Sequence, residues 1–187
     1  MADKSIHQPL ALKLLHAATG LWILGLGVTG FLLYNTWDGR FGHLPLPDVG
    51  ETWIDLHASL GEVFPWVLAV FALYSLTLGA RKLVAEDTLQ KLIGSRGKSQ
   101  WIAVQRIINT GLLFAAVMAC VSGQWMDEDI LEKGFLGNLN YNLHIGSWLL
   151  ICSLLIAHVL IGIKVGGIPL TLSIFDPRLR QKSSNSI

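Results

Sequence analysis

Apolar residues in this 187-residue chain gather into four long blocks, and the short stretches between them carry most of the charge. With a window of about 19 residues, the blocks fall at roughly 11–36, 53–80, 101–125 and 142–167, each long enough to cross about 30 Å of hydrocarbon as a helix. The pattern predicts an all-α fold, a transmembrane four-helix bundle, with residues 1–187 forming one membrane domain. The first block is longer than a signal-peptide core and no small-residue cleavage site follows it, so it is expected to stay as a helix. Pro65 is expected to kink the second span. The stretch from about 83 to 95, with Glu86 and Asp87 near its start, reads as a short amphipathic surface helix. The tail from Pro169 reads as an interfacial stretch with a disordered end.

Composition supplies the solvent. The chain is 52% hydrophobic and 14% charged, with a mean hydropathy of +0.51, too apolar for an ordinary soluble domain of this size. Lipid is the expected surroundings. No nucleic-acid partner is expected, and the net charge of +1 hides an asymmetry along the chain that bears on orientation. Lys4, Lys13, Arg81, Lys82, Lys91, Arg96, Lys98, Arg106, Lys164, Arg178, Arg180 and Lys182 all fall on one side of the four spans, leaving only Arg40 and Lys133 for the other. By the positive-inside rule both termini are cytoplasmic, in a multi-pass protein of the cell inner (plasma) membrane. The outer loops hold Asp38, Asp48, Glu51, Asp127, Glu128, Asp129 and Glu132, an acidic face that would attract a cationic partner. Tyr34, Trp37, Trp53, Trp125 and Tyr141 near outer ends, and Trp101 at an inner end, read as interfacial belt residues. Cys120 and Cys152 lie inside apolar blocks, which argues against a disulfide framework, and no Cys-x-x-Cys-His is present to attach haem covalently.

Four histidines stand inside the spans: His16, His57, His144 and His158. Ionisable or coordinating groups at such depths are costly and need partners. Spans one and two run in opposite directions, so His16 and His57, each near its own span's start, lie at opposite faces. His158 follows His144 by 14 residues, about 21 Å along a helix and within about 40° of the same direction. Hence His57 with His144 form an outer level, and His16 with His158 an inner one. The simplest common explanation is two haems, each held by two imidazoles whose rings are axial ligands to iron. A zinc site gathers four ligands about one point and does not suit pairs set so far apart. Gly20, Gly61 and Gly162 each follow a histidine by four positions, which clears a flat porphyrin on the same helix face; Trp148 stands at that place after His144. His7 and His43 read as surface residues, with His43 and Arg40 also candidates for haem propionates. Glu62, five residues past His57, is a candidate proton-passing group at the outer level.

The segments LLHAATGLWILGLGVTGFLLY, DLHASLGEVF and LHIGSWLLICSLLIAHVLIGI carry a pattern that resembles the bacterial cytochrome b561 superfamily, which includes the haem-b membrane subunits of formate dehydrogenases and nickel-iron hydrogenases. The resemblance covers nearly the whole chain. It implies two non-covalent b-type haems with the pairing above. Dehydrogenase-linked members often open the third span with Asn-Ala-Gly-Gln-Lys near an inner quinone site. Here the stretch reads Ile102, Ala103, Val104, Gln105, Arg106, so Gln105 and Arg106 are candidates for quinone or propionate contact. Many members also have Trp after the first histidine, where this chain has Ala17.

With both axial positions filled, such an iron transfers electrons and does not activate oxygen. The expected function is a di-haem b cytochrome that carries electrons across the membrane in a respiratory-type chain and exchanges them with quinone and with a periplasmic or membrane partner. A haem-b anchor for a hydrogenase or formate-dehydrogenase-like complex is the alternative. A histidine-lined proton or metal transporter without haem is the second, although transporters commonly break their helices near the midplane.

Overall fold

The computed structural model describes residues 10–126 and 138–172. Five helices form and no strand occurs among the described residues: α1 (Leu10–Leu33), α2 (Glu51–Leu76), α3 (Asp87–Gly94), α4 (Lys98–Gln124) and α5 (Leu139–Leu172). Four of them are long and apolar enough to cross a membrane. The short α3 is the surface helix expected between spans two and three. Lys4, His7, Asp127, Glu128, Asp129, Glu132, Lys133, Arg178, Arg180 and Lys182, with most of the tail from Pro169, lie outside the described residues.

Helix ends follow local chemistry. α1 runs into a single π-helical turn, Tyr34–Asp38, and Gly39 closes it in the left-handed conformation (φ 60°), its N–H bonded to the Tyr34 carbonyl at 2.9 Å. Asn35 then exchanges two hydrogen bonds with the Leu44 backbone, and the Tyr34 hydroxyl accepts from the Phe41 N–H, which fastens the 39–50 loop onto the end of α1. α2 remains helical through Pro65. Proline removes the donor that would serve the Gly61 carbonyl, and the Gln124 side chain donates to that carbonyl at 3.3 Å. One residue earlier, the Leu60 carbonyl accepts from Trp22 Nε1 at 2.9 Å. α5 is interrupted at Gly167 (φ 78°), two residues before Pro169. The chain turns back there: a Cβ at Gly162 would lie 3.9 Å from Thr171 Oγ1.

The bundle has little interior. Phe64, Leu68 and Ala116 make a buried cluster, with Trp22, Ile23, Leu26, Val67, Leu113 and Cys120 around it, all from α1, α2 and α4. Leu14, Leu21, Trp66, Leu73, Phe114, Ile156 and Leu160 are exposed, as expected of side chains meeting hydrocarbon. Small residues mediate the close approaches, as is common between membrane helices. At Gly111 of α4, a Cβ would sit only 3.0 Å from Leu154 of α5. α1 packs along α2, α4 along α5, and α2 against α4, while among the described residues α5 makes no comparable backbone approach to α1 or α2. Yet α5 carries the two histidines that face them.

Candidate functional site

At the end of the bundle expected to face outward, the rings of His57 (α2) and His144 (α5) lie 6.1 Å apart between centroids, nearly perpendicular at 87°. At the other end, His16 (α1) and His158 (α5) lie 5.8 Å apart with planes 30° from parallel. These are the two pairs that depth along the helices predicts. A metal–imidazole bond is about 2 Å long and the ring centroid lies about 1 Å behind its nitrogen, so two imidazoles on one metal ion hold their centroids about 6 Å apart. Both gaps have that width. Among the described residues, no group of three or more His, Cys, Asp or Glu gathers in a ligating cluster.

Hydrogen bonds fix which nitrogen carries the proton in three of the four rings. His144 Nδ1 lies 2.9 Å from the Ala119 carbonyl, which can only accept, so Nδ1 carries the proton. Thr29 Oγ1 lies 2.8 Å from His57 Nδ1 and spends its own proton on the Gly25 or Leu26 carbonyl, so it accepts from the ring. The Asn109 amide nitrogen donates to the Lys82 carbonyl at 2.9 Å, which turns Asn109 Oδ1 toward His158 Nδ1, also at 2.9 Å. Three of the four imidazoles therefore hold a proton on Nδ1 and leave Nε2 with its lone pair. Histidines that ligate metals are commonly held this way, with the second nitrogen bonded to an acceptor. Among the described residues His16 makes no such bond, and its ring rests 6.1 Å from that of Phe71.

The outer rings also have glycine seats. A Cβ on Gly30 would come within 3.1 Å of His57 Cε1, and one on Gly123 within 3.1 Å of His144 Cε1. Each glycine follows a hydroxyl residue that meets the same ring, Thr29 at 2.8 Å and Ser122, more weakly, at 3.4 Å. Neither these seats nor Asn109 are among the residues that the sequence pattern singles out. The Thr-Gly and Ser-Gly dipeptides, and an amide inside an apolar span, are the signals that point to them.

The glycines expected to clear a porphyrin behave differently. Gly20 and Gly61 open onto space, with nothing within 4 Å of where a Cβ would stand, and Gly162 faces only Thr171. Buried polar atoms without partners stand near the pairs: Thr19 Oγ1, three residues from His16, and Trp148 Nε1, four residues from His144. Trp148 itself stacks against Phe31 and Tyr34 and bridges α5 to α1.

One expectation for the outer loop changes. Asp38 adds no exposed charge, because its side chain is 5% exposed and accepts from Arg40 Nε at 2.9 Å and from the Tyr141 hydroxyl at 2.8 Å. Asp38, by this hydrogen bond above all, holds the Arg40 pKa above its ordinary value. Arg40 also donates to Asn142 Oδ1 at 2.7 Å, and its Nη2 is buried without a partner. His43 is exposed beside Gly39 and bonds to neither Arg40 nor the histidine pairs. Glu62 is likewise exposed.

At the inner end, Arg106 is committed to the loop, donating to the Asp87 carboxylate at 2.7 Å and the Arg81 carbonyl at 3.1 Å. Lys91 shares Asp87. Its hydrogen bond first, then that of Arg106, keeps the Asp87 pKa below the usual carboxylate value. Gln105 is half-buried beside Arg106, and the Lys164 ammonium sits 3.8 Å above the Trp101 ring.

A family model described as prokaryotic cytochrome b561 matches residues 7–175. The chain belongs to the prokaryotic cytochrome b561 family. As a member, it is a multi-pass membrane cytochrome of the b type, and its work is electron transfer. Neither a curated protein nor a solved structure matches this cytochrome. The donor set described above suits haem b: two imidazoles per level, Nε2 left unprotonated on three of the four, and open space beside Gly20 and Gly61.

Proposed function

We propose that this cytochrome holds two haems and passes electrons between the two faces of the inner (plasma) membrane, with residues 1–187 acting as one domain and both termini in the cytoplasm. His57 and His144 would hold the outer haem; His16 and His158 would hold the inner. The observation that carries the reading is the pair of gaps, 6.1 and 5.8 Å between ring centroids, each the width that two imidazoles sharing one iron would keep between their centroids. Haem b would supply reversible one-electron chemistry when bound, and a pair of imidazoles at each level would suit electron transfer.

The chain's own residues would then act as follows. α5 fixes the separation of the two levels, since both of its histidines ride on one helix. Thr29, Ala119 and Asn109 hold the ligand rings in one tautomer. Gly20, Gly61 and Gly162 leave room for the porphyrin faces, and the apolar cluster around Phe64 and Leu68 keeps water from the middle of the bundle. Arg40 Nη2 is the donor for an outer propionate. Electrons are exchanged with quinone at the inner end beside Gln105, while Arg106 anchors the loop next to it. A periplasmic or membrane partner meets the outer end, in a respiratory-type chain.

A reduced-minus-oxidised absorption spectrum of the purified protein, with haem quantified per chain, tests this. Two b-type haems are expected, falling to one in His16→Ala and in His144→Ala. Absence of haem absorbance overturns the reading. Reduction by a quinol is expected next, and its failure removes only the quinone assignment.

A further inference from the structure

The three tautomer-fixing bonds differ in where they lead. Thr29 and Ala119 belong to the walls of the bundle, but Asn109 reaches outside it. Its amide spans 2.9 Å to His158 Nδ1 on one side and 2.9 Å to the Lys82 carbonyl on the other, and Lys82 closes the short helical turn Ala80–Lys82 in the inner loop. That loop is fastened to α4 at two neighbouring points, Arg106 Nε to the Arg81 carbonyl at 3.1 Å and the Val84 N–H to Thr110 Oγ1 at 2.9 Å. Because a carbonyl only accepts, Lys82 dictates that the amide nitrogen faces the loop and the amide oxygen faces His158. On the opposite ligand, His16, no corresponding bond exists among the described residues. The inner level thus has a single replaceable acceptor behind its two imidazoles.

We infer that Asn109 is the positioning residue that sets the reduction potential of the inner haem, acting through His158 and held in orientation by the inner loop. The inference rests on the di-haem reading. An acceptor behind a ligating imidazole draws on its N–H, raises the basicity of the bound nitrogen and favours ferric iron, which lowers the potential. Asn109→Asp supplies a stronger acceptor and Asn109→Leu none, so the two substitutions move one midpoint in opposite directions. For each, a tenfold change in the relative affinity for the oxidised and reduced forms is expected, about 59 mV for one electron.

Potentiometric titration of the full-length protein, wild type and both variants, tests the inference. The haem that responds is assigned by which ferric signal His16→Ala removes. Opposed shifts of the inner midpoint, with the outer one unmoved, support the assignment. If Asn109→Leu sheds the inner haem, retention of two haems by Asn109→Asp with a lowered inner midpoint supports it equally. Unmoved midpoints in both variants overturn it, as does loss of the inner haem from both, since the aspartate keeps an acceptor. Fewer than two haems in the wild type would contradict the di-haem reading itself; two haems with unmoved potentials would contradict the Asn109 assignment alone.

Discussion

The outer and inner histidine pairs use the same four-helix frame but are built to different tolerances. At the outer level both rings are bonded through Nδ1, to Thr29 and to Ala119, and each presses its edge against a glycine of a neighbouring helix. At the inner level one ring is bonded, through Asn109, and His16 is constrained by ring contacts alone among the described residues. Ring planes differ too, 87° against 30°. A threonine hydroxyl, a backbone carbonyl and two glycines hold the outer rings, whereas among the described residues the inner pair depends on one side-chain bond. Bringing two histidines to one level and fixing how their rings stand are thus separate problems for a membrane bundle: their places along the helices solve the first, and the facing helices solve the second.

The contrast breaks most completely if a ligand is removed. His144→Ala and His158→Ala alter one helix at two levels, and each is expected to lower the haem content from two per chain to one, read by pyridine haemochrome assay. Loss of both haems from either variant would mean that the levels do not form independently. Next in size is the outer seat. Gly30→Ala or Gly123→Ala drives a methyl to about 3.1 Å from an imidazole carbon, tighter than the packed neighbour can absorb without shifting. Either is expected to strip most of the outer haem, whereas Gly20→Ala meets no protein atom within 4 Å, intrudes only on the room proposed for the inner porphyrin, and is expected to weaken retention of the inner haem while leaving the outer one in place; loss of the outer haem from all three would erase the distinction. Thr29→Val keeps shape but removes the acceptor behind His57. Outer haem retention is expected to weaken by about 10- to 100-fold, measured as haem transfer to an apo-acceptor protein, with the inner haem unaffected.

The smallest effect belongs to the inner loop. Asp87 has a lowered pKa because Lys91 and then Arg106 hydrogen-bond its carboxylate, so its contribution to loop order is present above the ordinary value of 3.8 and fades as pH falls through the lowered folded value. The site is well exposed, and exposed ion pairs contribute little. Asp87→Asn is therefore expected to change thermal stability only slightly at neutral pH, with the difference vanishing in acid. A large loss of stability would show that the loop is a structural keystone of the inner level.

Much of this architecture is legible in the amino-acid sequence. The four spans can be read because an apolar stretch long enough to cross hydrocarbon has few other uses, and the histidine levels follow from the rise per residue and the alternating direction of the spans. What the one-dimensional pattern hides is which helix faces touch. Thr29 and Gly30 look like ordinary small residues of a membrane helix until α1 lies against α2, and Asn109 looks like an isolated polar residue until α4 meets α5. Asp38 shows the same limit in reverse: counted as outer-loop charge, it is spent on Arg40 and Tyr141. Pro65 stands inside a helix that runs on past it, and Gln124 donates to the carbonyl that the proline leaves without its usual partner, a contact between helices that the linear pattern does not show. α5 is interrupted at Gly167, where the positive φ suits glycine.

The most direct test is the low-temperature electron paramagnetic resonance spectrum of the oxidised protein, quantified against chain concentration. Perpendicular imidazole planes leave the iron orbitals nearly degenerate and give a highly anisotropic low-spin signal, while near-parallel planes split them and give an ordinary rhombic one. Two low-spin ferric signals of equal weight are expected, one of each kind, the first lost in His57→Ala and the second in His16→Ala. A single signal per chain, or a dominant high-spin one, would contradict paired imidazoles at two levels.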